Sequence, residues 1–224
     1  MKRLDIWIGS LISAIIIAAS WRQWWPIPMT EALGFITGAA CVYLVVKENI
    51  WNFPIGIANN IFFLVLFGQA RLYGDAGLQI VYIALGVQGW YNWLYGGRNR
   101  TSLNIGRVSG QMLLLTLVCI PIGTWILMLA LRAANGAAPL LDSFTTVLSL
   151  AAQYWLNRKV LENWILWIVA DVIYVFLYVT RGLHLTAVLY GVFLCLCVAG
   201  LLNWWHTLQA KPSTFVEQEA LARG

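Results

Sequence analysis

Eight runs of apolar residues, each close to the length a bilayer demands, constrain this chain more than any other feature. A helix needs about 20 residues to cross the hydrocarbon core. The runs fall at about 4–23, 30–47, 52–70, 75–95, 110–132, 140–157, 163–181 and 185–208. The breaks between them are short: Lys47–Asn49, Arg71–Asp75, Asn135–Pro139, Asn157–Glu162 and Arg181–His184, with a longer polar stretch at Gly96–Arg107. Inside lipid a single segment satisfies its backbone groups only as a helix. The expected fold is therefore an all-α integral membrane protein of about eight transmembrane helices.

Composition removes the soluble alternatives. Charged residues make up 10% of the chain, against about 25% in globular proteins, and the deficit runs its whole length. Lys and Arg number 14 against 9 Asp and Glu, and the basic residues stand singly or in small groups at the ends of apolar runs. That is how membrane loops look, and no nucleic-acid surface is expected. The 13 Trp and 9 Tyr suit membrane interfaces and aromatic-lined sites. Cys41, Cys119, Cys195 and Cys197 lie inside apolar runs with no CxxC pair. They read as small buried hydrophobes, so neither a metal nor another cofactor is expected.

Two readings compete at the N-terminus. Lys2, Arg3, an apolar run and small residues near Ala18–Ser20 resemble a secretory signal. A retained first helix is preferred, because the run reaches a full span at Trp21–Trp25. With the N-terminus in the cytoplasm, that side holds Lys2, Arg3, Lys47, Arg98, Arg100, Arg107, Arg158, Lys159, Lys211 and Arg223. The outer side holds Arg22, Arg71, Arg132 and Arg181. This asymmetry predicts cytoplasmic termini.

A shift of 111 residues pairs Glu31–Trp93 with Asp142–Trp204 without a gap. Matches include Tyr43/Tyr154, Lys47/Arg158, Asn52/Asn163, Gly89/Gly200, Asn92/Asn203 and Trp93/Trp204. The domains then read as an additional N-terminal membrane helix at 1–27, a first three-helix repeat at 28–96, a loop and linker helix at 97–139, a second three-helix repeat at 140–208 and a polar tail at 209–224. An odd number of spans per repeat, separated by one helix, makes the repeats parallel, as in SWEET-type transporters. Gly34 and Gly38, with Thr145 and Ser149 at the equivalent places, read as close helix packing within each repeat.

One stripe could hold a ligand. Trp164, Trp167, Asp171, Tyr174 and Tyr178 share a helix face. Their equivalents are Phe53, Gly56, Asn60, Phe63 and Phe67. Asp171 sits eight residues into a span. A charged side chain at that depth costs about 2.5–3.5 kcal/mol on insertion scales and marks a functional site by default. A protonated or helix-bonded carboxyl is the structural alternative. Aromatic neighbours favour a planar or cationic ring. Asn59, Gln79, Tyr82, Gln153 and Tyr190 extend the constellation, with helix–helix hydrogen bonding an equal claim on each. Only one of Asn59 and Asn60 can point straight along the stripe. Pro54 and Gly56 are expected to loosen their span.

The segment Glu162–Asp171, with Trp164, Trp167 and Asp171, resembles the WxxWxxxN/D signature of PnuC-type vitamin transporters. Leu72–Gln79, Gly89–Trp93, Asp142-Ser143, Val147–Ser149 and Leu189-Tyr190 are also similar to that family, and the likeness covers roughly 28–206. The resemblance implies a 3+1+3 SWEET-like fold, a homotrimer and uptake of nicotinamide riboside by facilitated diffusion. Alternating access would expose the site, and a cytoplasmic kinase would trap the vitamin by phosphorylation. It places Trp164, Trp167, Asp171, Asn59 and Gln79 on the vitamin. Many members carry Asn where this chain has Asp171, which leaves thiamine and riboflavin open as cargo. Proton coupling through Asp171 also stays open.

An enzyme is not expected. His184 and His206 fall at opposite ends of the membrane, and the sequence has neither GxSxG nor GxxxxGK[ST]. An assembly or sensor protein is the remaining alternative.

Overall fold

A computed structural model of the chain describes residues 29–69, 71, 73–133, 139–180 and 184–210, together with 18, 20 and 22. Apart from those three positions, the expected first span at 4–23 lies outside the described residues, as does the tail from 211. Seven α-helices are described: α1 (Met29–Val46), α2 (Asn52–Gln69), α3 (Tyr73–Tyr95), α4 (Gly110–Ala133), α5 (Pro139–Asn157), α6 (Asn163–Thr180) and α7 (His184–Ala210). Their ends fall within two residues of the seven spans expected beyond the first.

The exterior is apolar, and the largely apolar interior also holds a set of buried polar residues. Leu114, Ile126 and Phe176 are more than three-fifths exposed, whereas Ser143, Thr145, Ser149, Asn157, Asn163 and Asp171 are buried. Lipid accepts apolar side chains on the outside, so polar groups gather between helices, where they find partners. By length and composition α2, α4, α6 and Ala187–Ala210 of α7 suffice to cross a membrane, and α1 contributes a shorter apolar stretch, Ala32–Val46. α3 and α5 fall short of that apolar threshold because of their polar residues. On α5 these include the buried Ser143, Thr145, Ser149 and Asn157.

Contacts divide the chain into residues 1–83 and 84–224. In the first unit α1 packs on α2. Gly34 lets the helices approach, since the Phe63 ring occupies the place of a side chain there. The Thr37 hydroxyl bonds the Leu33 carbonyl at 2.7 Å and reaches Asn59 Oδ1 at 3.0 Å. Pro54 is the third residue of α2. In the first turn its missing N–H breaks no intrahelical bond, so it does not loosen the span as expected.

In the second unit α4 packs on α5, α5 on α6 and α6 on α7. The Trp155 indole donates to Thr116 Oγ1 at 3.0 Å across α5 and α4. Ser109 caps α4, its Oγ accepting from Met112 N at 3.2 Å. The polar stretch before α4 is tied down by Gly106, whose N–H donates to the Lys159 carbonyl at 3.0 Å and whose carbonyl accepts from Leu161 N at 2.9 Å. Glu162 holds the same stretch, accepting from Val108 N at 2.9 Å and meeting Arg107 at 3.4 Å.

One turn is built twice, at a separation of 111 residues. Glu48 and Lys159 both adopt positive φ, 53° and 49°. Asn49 N donates to Leu44 O at 2.8 Å, as Val160 N does to Trp155 O at 3.0 Å. Asn52 Nδ2 donates to Asn49 O at 2.7 Å and Asn163 Nδ2 to Val160 O at 2.6 Å. Lys47 lies 5.5 Å over Tyr43, and Arg158 lies 5.1 Å over Tyr154. The matching residue identities thus carry matching hydrogen bonds and cation–π contacts.

Candidate functional site

α6 and α7 meet along one face, and their side chains face each other in a regular ladder. The loop between them is short, so the helices run antiparallel and residues seven apart on one face those seven apart on the other. At one end Trp164 meets Trp204 edge-on at 5.4 Å. Two turns further along, the Cys197 thiol donates to Asp171 Oδ2 at 3.4 Å. Two turns further still, Tyr178 meets Tyr190 at 5.1 Å.

The three levels differ in character. The Trp164 level is densely packed: Trp164 is 1% exposed, its ring lies against Gly200, and Trp204 in turn meets Trp93 at 6.0 Å. The Trp93 indole donates to Leu156 O at 3.0 Å and carries Lys159 Nζ 4.4 Å above its ring. Trp164 Nε1 itself is buried without a hydrogen-bond partner among the described residues. The Asp171 level is buried but polar, with Asp171 6% and Cys197 4% exposed. Oδ2 receives the thiol, whereas Oδ1 carries no hydrogen bond among the described residues. The third level is an aromatic group: Tyr174 lies 4.8 Å from Tyr190 and 6.2 Å from Tyr178, and Phe193 meets Tyr190 at 5.9 Å. Thr145 of α5 donates its hydroxyl to Leu141 O of its own helix at 2.8 Å; the rings of Tyr174 and its neighbours form the level by themselves. In the first unit the equivalent positions are the touching pair Gly34 and Phe63.

Several expected site residues are therefore together. Asp171, Tyr174 and Tyr190 form one cluster, bordered by Tyr178, Phe193 and Cys197. Trp167 is half-buried on the same helix. Trp164 is enclosed by helix packing. Gln153 donates to Asn157 Oδ1 at 2.9 Å, and Asn157 Nδ2 donates to Leu85 O at 2.7 Å, so its amide is engaged in a helix-bonding chain. In the first unit Asn59 is turned to Thr37 of α1. Asn60 and Gln79 are half-buried with no hydrogen bond among the described residues, and Tyr82 is half-buried. Cys197 is the member that sequence reading placed only as a buried hydrophobe. The signal that finds it is the antiparallel pairing, which sets it opposite Asp171.

Such a cluster can hold a ring by aromatic contact and a positive charge by the free carboxylate oxygen. Among the described residues no group of His, Cys, Asp and Glu is arranged to hold a metal.

Comparison with known proteins gives this geometry a family. The family model described as nicotinamide mononucleotide transporter matches residues 28–206. The nicotinamide riboside transporter PnuC of Escherichia coli (strain K12) is 26% identical over 213 residues, covering 82% of this chain and 87% of that protein. PnuC of Haemophilus influenzae is 29% identical over 201 residues, covering 86% and 87%. The riboflavin/roseoflavin transporter RibM of Streptomyces davaonensis is 26% identical over 189 residues, covering 79% and 84%. The crystal structure of the Vitamin B3 transporter PnuC shares the fold, with a TM-score of 0.69 over 94% of this chain and 93% of that one at 24% identity. The chain therefore belongs to the nicotinamide mononucleotide transporter family and is a multi-pass membrane transporter, not an enzyme.

Proposed function

We propose that this protein carries a vitamin across the bilayer, with nicotinamide riboside as its first substrate. The observation that carries the reading is Asp171, a carboxyl group buried between α6 and α7 with one oxygen unbonded among the described residues and the Tyr174–Tyr190 ring pair beginning one turn along α6. The positive pyridinium ring of nicotinamide riboside suits that pairing of charge and π-face. The relatives named as nicotinamide riboside transporters support the same cargo. Thiamine carries a comparable positive ring. Riboflavin is the second reading, favoured by the likeness to RibM, although its neutral ring makes less use of Asp171.

Trp167, Asp171, Tyr174 and Tyr190 are the proposed contacts, with Trp164 supporting them from the packed level. Asn60 and Gln79, the equivalents of Asp171 and Tyr190, are proposed as further contacts, and Asn59 and Tyr82 as their neighbours. Gln153 is proposed as a helix-bonding residue beside the site. The architecture in this reading is eight spans, one followed by a 3+1+3 pair of parallel SWEET-like repeats at 28–96 and 140–208. The turn built twice supports it, as do the starts of α2 and α6, and of α3 and α7, each 111 residues apart. Facilitated diffusion by alternating access, trapping by a cytoplasmic kinase, a homotrimer, and a bacterial inner membrane with both termini in the cytoplasm complete it.

The test is uptake into liposomes holding the purified protein, with nicotinamide riboside, thiamine and riboflavin as cargo. Saturable uptake of a cationic vitamin that persists after all ion gradients are collapsed is expected. Binding of none of the three above protein-free liposomes sinks the vitamin assignment. Uptake that stops with the proton gradient replaces facilitated diffusion with coupling.

A further inference from the structure

We infer that Cys197 is a positioning residue, whose thiol aims the Asp171 carboxylate so that its second oxygen faces the positive ring of the cargo and selects cationic over neutral ligands. This rests on the transport reading of the Asp171 site and adds the residue that sets its charge preference.

The terminal torsion of an Asp side chain is broad, so a buried carboxylate takes its orientation from whatever donates to it. Here a single donor is present among the described residues: Cys197 Sγ, 3.4 Å from Oδ2. Both side chains are buried, so water does not compete freely for the bond. Cys197 stands on the opposite helix two turns beyond Tyr190, and Asp171 lies two turns before Tyr178. The thiol level and the tyrosine level are therefore stacked along one interface. Tyr174 stands one turn beyond Asp171 on α6 and lies 4.8 Å from Tyr190 of α7, and the other carboxylate within electrostatic reach of Tyr174 is Asp142 of α5. No Lys, Arg or His pairs with Asp171 among the described residues.

The choice of donor matters. An Arg or Lys would fix the carboxylate more firmly, but it would also neutralise the charge that attracts the cargo. A thiol is a weak, uncharged donor. It fixes the angle and leaves the negative charge without a counter-ion, which a singly charged ring then supplies. Oδ1, lacking a hydrogen bond, is the oxygen presented to it.

The experiment compares two ligands of nearly the same shape and different charge: nicotinamide riboside, which is cationic, and its neutral dihydropyridine form. Affinities are measured by calorimetry on the purified full chain for wild type, Cys197→Ala, Cys197→Ser and Asp171→Asn. Wild type is expected to prefer the cation. Cys197→Ala should weaken the cation about fivefold to tenfold, the size of an ordinary intramolecular hydrogen bond, as suits a weak thiol donor, and leave the neutral ligand within about twofold. Cys197→Ser should restore cation affinity, because its hydroxyl donates to the same oxygen. In the Asp171→Asn background, Cys197→Ala should no longer change the ratio of the two affinities. Equal weakening of both ligands, or no change in Cys197→Ala, overturns the inference while wild-type preference keeps the transport reading standing. A wild type that binds neither ligand overturns both.

Discussion

The indole of Trp164 fills the space above Gly200, where a Cβ would lie 2.5 Å from its ring atoms. Trp164 is 1% exposed and has Trp204 edge-on at 5.4 Å on its other contact, so it has nowhere to retreat. Small residues at helix crossings matter more in lipid than in water, because close packing replaces the hydrophobic drive. Gly200→Ala should therefore destabilise the protein by about 1–3 kcal/mol, the usual range for overpacking. Thermal unfolding in detergent measures it. Adding Trp164→Leu to Gly200→Ala should recover part of the loss, and a Gly200→Ala variant that melts at or above wild type removes the packing argument.

The turn before α6 depends on one amide. Asn163 is fully buried, and its Nδ2 donates to Val160 O at 2.6 Å. Asn163→Ala should cost on the order of 1 kcal/mol for the lost bond. Asn163→Asp should cost more, since it removes the donor and buries a charge without a partner. The equivalent pair, Asn52→Ala and Asn52→Asp, should fall in the same order, because Asn52 Nδ2 makes the same bond to Asn49 O at 2.7 Å. Thermal midpoints of the four variants decide this, and an Asp variant as stable as its Ala counterpart contradicts it.

Asp171 should matter to cargo more than to folding. Asp171→Asn keeps the side-chain volume and one hydrogen-bond acceptor for Cys197 but removes the charge. Nicotinamide riboside binding should weaken by about tenfold or more, since a hydrogen bond to a charged group contributes about 1.5–3 kcal/mol. The melting temperature should stay level or rise, because an uncharged amide is less costly to bury than a carboxylate. Calorimetry and a melt on the same preparation separate the two effects. Unchanged affinity in Asp171→Asn displaces Asp171 from the site.

The helices were legible because apolar length is a local property: seven spans read from the sequence end within two residues of the described helices. The Asp171 stripe was legible for a related reason, since helical periodicity places Trp164, Trp167, Asp171, Tyr174 and Tyr178 on one face without any knowledge of neighbours. What lies across that face was not. Cys197 read as a small hydrophobe because its partner sits 26 residues away on another helix. Trp164 looked like a ligand contact by its motif, yet its environment is set by Gly200, whose missing side chain makes the room. Asn59 and Asn60 could not be told apart until Thr37 supplied a partner for Asn59. Each of these depends on pairing between helices, which periodicity along one helix does not contain.

Gln153 separates a helix-bonding role from a ligand-binding one. Its Nε2 donates to Asn157 Oδ1 at 2.9 Å, and Asn157 passes the chain on to the Leu85 carbonyl at 2.7 Å, joining α5 to α3. Removing Gln153 leaves the buried Asn157 with an acceptor unsatisfied, which costs about 1–3 kcal/mol. Gln153→Ala should thus lower the melting temperature, whereas nicotinamide riboside affinity in the folded fraction stays within about threefold of wild type. Gln153→Glu should be worse for stability than Gln153→Ala, because a carboxylate has no donor for Asn157 Oδ1 and puts a charge at a half-buried position. Melts and calorimetry on the same variants give both readouts. A Gln153→Ala protein as stable as wild type but binding tenfold more weakly would move Gln153 out of the helix-bonding chain and onto the cargo.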